Sequence, residues 1–83
     1  MTTGVQFTGT LNPNQTQRWF TFNWNPAWHV IWYMMPTSTQ SVPELSWSVA
    51  VQRADATHCT YWITVTNLTA AAVTFEARYA ILA

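Results

Sequence analysis

From Arg18 to Met35 the chain reads RWFTFNWNPAWHVIWYMM, with a single break at Asn25-Pro26. This stretch carries four of the six tryptophans in the molecule. Taken as extended chain it makes two strands, and successive side chains of a strand point to opposite faces. In the first, residues 17–25, Phe20, Phe22 and Trp24 fall on one side and Trp19, Thr21 and Asn23 on the other. The second, residues 27–35, has no polar side. Trp28, Val30, Trp32 and Met34 alternate there with His29, Ile31, Tyr33 and Met35. A strand apolar on both faces reads as a central strand covered on both sides. Asn25-Pro26 separates the two because proline donates no ladder hydrogen bond and holds the preceding residue extended.

The rest of the chain suits the same architecture. No segment sustains a 3.6-residue apolar period, lysine is absent, and Thr, Val and aromatic residues dominate, a composition that fits half-buried pleated surfaces. Four further strands are expected, over residues 5–11, 44–53, 59–67 and 73–82. In the second of these Leu45, Trp47, Val49 and Val51 point inward, and in the last two Tyr61, Ile63 and Val65, then Val73, Phe75, Ala77, Tyr79 and Ile81, do the same. Turn residues separate the strands about every ten residues. The expected fold is therefore all-β, a six-stranded antiparallel β-sandwich or small barrel with no helix, with residues 1–83 forming a single domain. If the last two strands pair so that Ile63 faces Phe75, then Trp62 lies opposite Glu76 and within cation–π reach of Arg78.

A core made from Phe20, Phe22, Trp24, Leu45, Trp47, Tyr61, Ile63, Phe75 and Tyr79 suffices for a sandwich of this size. It leaves over Trp19, Trp62 and one whole face of the 27–35 strand. An 83-residue chain has a thin stability margin without extra support. The single cysteine excludes an internal disulfide, and His29, His58 and Cys59 fall short of the four ligands a structural zinc wants. Self-association is the remaining support, and the side carrying His29, Ile31, Tyr33 and Met35 is where a second subunit or a ligand is expected.

Charge excludes several classes of partner. Arg18, Arg53 and Arg78 balance Glu44, Asp55 and Glu76 for a formal net charge of +0. Nucleic acid needs a basic surface to neutralise phosphate, and three scattered arginines do not provide one. Charge-driven binding to anionic membranes falls with it, and no apolar segment approaches the length of a membrane helix. Met1-Thr2-Thr3-Gly4 has neither the basic start nor the apolar run of a signal peptide. The chain thus reads as soluble, and as cytoplasmic, released, or a domain cut from a secreted protein. Asn14-Gln15-Thr16 and Asn67-Leu68-Thr69 match the glycosylation pattern but read as turn chemistry.

Catalytic chemistry finds little to stand on. Glu44, Asp55 and Glu76 fall at a loop edge, a turn and an outward strand position, not in a desolvated pair. Adjacent His58 and Cys59 on a strand would face opposite ways, so they cannot act as a base and nucleophile. With only Gly4 and Gly9 there is no phosphate-cradling loop, so no cofactor is expected. Functional content resides in the aromatic excess. Sugars present apolar C–H faces that stack on aromatic rings, while short polar groups capture their hydroxyls. Trp19 with Asn23, His29 with Tyr33, and Trp62 with Glu76 and Arg78 are such mixtures, and these seven are the candidate ligand-binding residues. The same residue types are also enriched at subunit interfaces.

The two ends of the chain, TGTLNPNQTQRWFTFNW and CTYWITVTNLTAAAVTFEARYAIL, resemble the small pre-peptidase C-terminal β-sandwich domains appended to secreted bacterial enzymes. Those open on a G-x-L-x-x-G-Q-x-x-x-F/Y-x-F strand pair and close on a T/Y-Y-x-I/V-x-V strand, a turn and a final strand. The aspartate-rich central segment of that family is replaced here by WHVIWYMM. In architecture the chain is also similar to small H-type lectins, a resemblance that implies a six-stranded sandwich, sugar binding and a trimer. The reading is a non-catalytic, lectin-like carbohydrate-binding module working as a homo-oligomer. Its alternative is a structural self-assembly domain whose spare aromatics form the subunit interface.

Overall fold

A computed structural model describes residues 1–82. It is all-β, with six antiparallel strands: β1 (Thr2–Leu11), β2 (Thr16–Trp24), β3 (His29–Pro36), β4 (Leu45–Arg53), β5 (Cys59–Asn67) and β6 (Val73–Leu82). They form two three-stranded sheets, ordered β1-β6-β3 and β2-β5-β4. The core lies between the sheets, and the ladders do not close into a barrel. Of the sequence-adjacent strands, only β4 and β5 pair directly, as a hairpin whose turn is closed by the Ala54 and Asp55 N–H groups on the His58 carbonyl at 3.0 and 3.3 Å. Every other connection among the described strands crosses from one sheet to the other.

This topology corrects the expected place of β3. It is an edge strand, because the centre of its sheet belongs to β6. Trp32 and Met34 enter the core, whereas Ile31 and Tyr33 on the other side remain 54% and 50% exposed. The two-sided apolar pattern of this strand is real, but one of its sides has no cover within the chain. The central strands are β5 and β6, and β5 has the most buried alternation of all. They lie in different sheets, so the expected Ile63–Phe75 ladder does not exist. Ile63 pairs with Trp19 and Val49, and Trp62 with Phe20 and Ala50. Glu76 and Arg78 are thus on the opposite sheet from Trp62.

The facing of β2 also differs from expectation. Phe20 and Phe22 are 56% and 61% exposed. It is Trp19 that packs inward, 5.4 Å edge-on from Phe75 and 5.7 Å in a stack with Phe7. Thr21 is buried beside it, which a polar residue tolerates because its hydroxyl accepts from Trp24 Nε1 at 3.0 Å and from Gln6 Nε2 at 3.1 Å. Trp24 then reaches the same interior through a bulge between Thr21 and Trp24, where Asn23 adopts φ 66°. One extra residue switches the face, and Asn tolerates the left-handed conformation that the switch needs. Simple alternation fails here because the strand changes phase within four residues.

On β4, Leu45 and Trp47 pack against the core as expected. Val49 and Val51 share their side but are exposed on this edge strand, although their ladder partners Ile63 and Tyr61 are buried. The interior is otherwise an aromatic lattice. Trp24 meets Trp32, Tyr61 and Tyr79 edge-on at centroid distances of 5.3, 5.9 and 5.2 Å, the geometry that aromatic quadrupoles favour.

The turns are held by a buried amide. Asn67 is 1% exposed. Its Nδ2 donates to the carbonyls of Ala71, Asn12 and Leu11 at 2.7, 3.1 and 3.4 Å. Its Oδ1 accepts from the Thr69 N–H and hydroxyl, both at 2.9 Å. The Asn67-Leu68-Thr69 triplet is therefore turn chemistry, with its amide consumed inside the protein. Asn67→Ala should cost about 2–4 kcal/mol, because it leaves buried carbonyls without donors, a loss readable from the urea midpoint. Gly9 permits a close approach, since a Cβ there would sit 2.9 Å from Phe75 Cζ and 3.0 Å from Trp19 Cζ2. Gly9→Ala should lower stability by ~1–3 kcal/mol through overpacking, measurable in the same denaturation series.

Candidate functional site

Three surfaces gather the side chains that the core does not use. The first is the outer face of the β2-β5-β4 sheet. Phe20 and Trp62 are Cα partners across the ladder, their rings 5.1 Å apart at 35°. Phe22 continues the row, 6.2 Å from Phe20 at 31°. Small interplanar angles make this a tilted aromatic strip, unlike the edge-on contacts around Trp24. Arg18 lies over the Trp62 ring with Cζ 4.3 Å from its centroid, an attraction worth ~0.5–1 kcal/mol at an exposed site. Trp62 Nε1 donates to Gln52 Oε1 at 3.0 Å. The ring is thus clamped from two directions. Hydroxyls border the strip: Ser48 pairs with Thr64, and Ser46 with Thr66, whose hydroxyl is 2.9 Å from that of Thr16.

The second surface is the outer face of the β1-β6-β3 sheet. A groove of about 660 Å³ runs across it, lined by Val5, Ile31, Tyr33 and Met35 together with Glu76 and Arg78. Arg78 directs Nη2 and Nε to the same Glu76 oxygen, at 2.7 and 3.1 Å. Register explains the gathering: Tyr33 pairs with Arg78, which in turn pairs with Val5, and Met35 pairs with Glu76. His29 pairs with Leu82 at the end of the same ladder. The Tyr33 ring also leans over the edge onto Trp47, 5.2 Å away at 71°.

The third is a polar pocket of about 540 Å³ at one end of the sandwich, lined by Asn23, Asn25, Trp28, Arg53, Thr57 and His58 among others. Trp28 stands edge-on to buried Trp24 at 6.5 Å. Two short turns build the walls. The Ala27 N–H donates to Asn25 Oδ1 at 2.9 Å, and the Thr57 N–H to Asp55 Oδ1 at 2.8 Å. His58 Nδ1 lies 3.2 Å from Asp55 Oδ1 and 2.9 Å from the Thr57 hydroxyl, while Cys59 is buried in the core. Arg53 Nη2 donates to the Ala56 carbonyl at 2.9 Å.

The seven residues singled out by sequence are therefore dispersed. Tyr33, Glu76 and Arg78 come together in the groove with His29 at its margin, Trp62 lies on the opposite face, and Asn23 lines the end pocket. Trp19 is engaged by Phe7 and Phe75. Sequence reasoning missed Phe20 and Phe22 as surface rings, and Trp28, Arg53 and His58 as neighbours. The pair of asparagines flanking Trp24 was the available signal, because Asn within a strand marks a bulge or turn. Among the described residues no group of three His, Cys, Asp or Glu side chains is placed to hold a metal ion, and no helix is long and apolar enough to cross a membrane. No protein-family model matches the chain, and comparison with curated proteins and with solved structures gives no match.

One titration is distinctive. The Thr57 N–H, reinforced by its hydroxyl and by His58, holds the Asp55 carboxyl below its ordinary 3.8. A carboxylate depressed in the folded state supports the turn fully above that value and releases it as pH falls through the lowered one. The carboxyl carbon of Asp55 and the amide of Thr57 should titrate together by NMR with a midpoint below 3.8, and a midpoint at or above it would refute the turn geometry.

Proposed function

We propose that this chain is a non-catalytic, lectin-like carbohydrate-binding module that works as a homo-oligomer. The observation that carries the reading is the outer row of exposed Phe22 and Phe20 with half-buried Trp62, Arg18 and Gln52 fixing the indole and Ser and Thr hydroxyls bordering one end. A pyranose ring offers the apolar C–H face that such a strip accepts, and its equatorial hydroxyls reach the bordering side chains. The surface is neutral apart from one arginine, which suits an uncharged polymer better than phosphate. The rings lie on a sheet, so the platform is set before the ligand arrives, and preorganisation lowers the ordering cost of binding. Weak single-site affinity is then raised by several copies acting together.

A structural self-assembly domain is the second reading, favoured by the aliphatic lining of the groove on the other sheet. Both readings expect an oligomer, and they part over the aromatic strip. Titration of intrinsic tryptophan fluorescence with a panel of neutral glycans tests the first. Trp62→Ala should weaken the best glycan at least tenfold, ~1.4 kcal/mol, with far-ultraviolet circular dichroism and oligomer size unchanged. No response to any glycan, or full affinity in the variant, would leave only the self-assembly reading.

A further inference from the structure

We propose that two copies of this chain dock face to face through the outer surface of the β1-β6-β3 sheet, about a two-fold axis that sets Glu76 of each copy against Arg78 of the other. The inference rests on the homo-oligomer part of the reading above and is independent of any ligand.

The face has the chemistry of an interface. Val5, Ile31 and Leu82 are exposed at 49%, 54% and 40%, and they lie on one side of one sheet with Tyr33 and Met35. Isolated apolar residues on a surface are ordinary, but a contiguous group in a groove calls for cover. A standard interface takes roughly 800 Å² from each partner, less than one sixth of the 5147 Å² that this chain exposes. One broad face of a two-layer sandwich supplies that much.

Charge selects the occupant and its orientation. Glu76 and Arg78 are the only charged residues of the strand at the centre of this sheet, two positions apart and pointing the same way. Consider a two-fold axis in the plane of contact, perpendicular to β6 and level with Ala77. It reverses the strand direction and exchanges the two positions. Each carboxylate then faces a guanidinium from the other copy while keeping its own, giving a closed set of four alternating charges. The same operation brings Tyr33 over Met35, which pairs with Glu76 just as Tyr33 pairs with Arg78. An axis running along the strands would instead set Glu76 on Glu76 and Arg78 on Arg78, a repulsive register. The face is therefore complementary to itself in one orientation.

The opposite sheet does not share this property. β2, β4 and β5 contain no Asp or Glu, so self-pairing through the aromatic strip would bury Arg18 without a counter-charge, which is costly. One face suits a second copy and the other stays open.

Light scattering behind size exclusion, over a concentration series of the intact chain, should give a dimer. Ile31→Glu, an exposed position outside the core, should give a folded monomer by circular dichroism. Glu76→Arg alone and Arg78→Glu alone should each weaken self-association at least tenfold. Mixing those two variants in equal amounts should restore dimers, because each supplies the charge that the other lacks. A wild-type monomer, a trimer, or single variants that dimerise as the wild type does would overturn the proposal, as would a mixture that stays monomeric while both variants are folded. Trp62→Ala should remain dimeric, so failure of glycan binding and failure of this interface are read separately.

Discussion

The side-chain amide of Asn67 is the joint on which both sheets depend. It sits where β5 leaves one sheet and the chain crosses to β6 in the other, and it also holds the carbonyls at the end of β1. Across the same corner the Asn14 N–H donates to the Thr69 carbonyl at 3.1 Å and the Asn67 N–H to the Gln15 carbonyl at 2.9 Å. A short crossing leaves backbone groups unpaired in a place that water does not reach, and an asparagine is the compact residue that can donate and accept at once. With no disulfide among the described residues, this corner and the aromatic interior carry the joining of the layers.

Those aromatics divide by geometry. Inside, rings meet at steep angles around Trp24, which spaces the two sheets and locks the indole of Trp32 among its neighbours. Outside, on the β2-β5-β4 face, Phe20, Phe22 and Trp62 lean only slightly to one another. Edge-to-face packing fills volume, whereas a shallow tilt presents a broad surface. The bulge at Asn23 turns Trp24 inward, where simple alternation would have set it beside Phe20 and Phe22.

The positions of all six strands were legible, because turn residues and the two-residue period mark extended segments wherever they stand. Which face of a strand is inner was legible for β5 and β6, central strands with clean alternation. It failed for β2, where Trp19 and Phe20 are equally apolar and only the phase shift at Asn23 decides between them. For β3 the inner side, with Trp32 and Met34, was legible, but its place at the edge was not, because a two-sided apolar pattern looks the same whether the second cover comes from the chain or from outside it. Strand order was not legible, since a local pattern carries no record of which distant strand supplies the ladder. The cation–π partner of Trp62 followed that error. An arginine was expected, but Arg18 from β2 takes the place assigned to Arg78.

Strand order also governs how the chain comes to fold. β6 is the last of the six strands in sequence and the centre of its sheet, with Thr2 paired to Ile81 at one extreme. Neither β1 nor β3 has a ladder partner until β6 exists, so half of the structure waits on the last of the six strands. Only the β4–β5 hairpin can form early from local contacts. Ladders that join distant segments pay loop-closure entropy before they gain contacts, which places such topologies among the slow folders, on the order of milliseconds to seconds. Throughout that interval WHVIWYMM is an unpaired apolar ribbon, the segment of the incomplete fold with the most surface open to premature association.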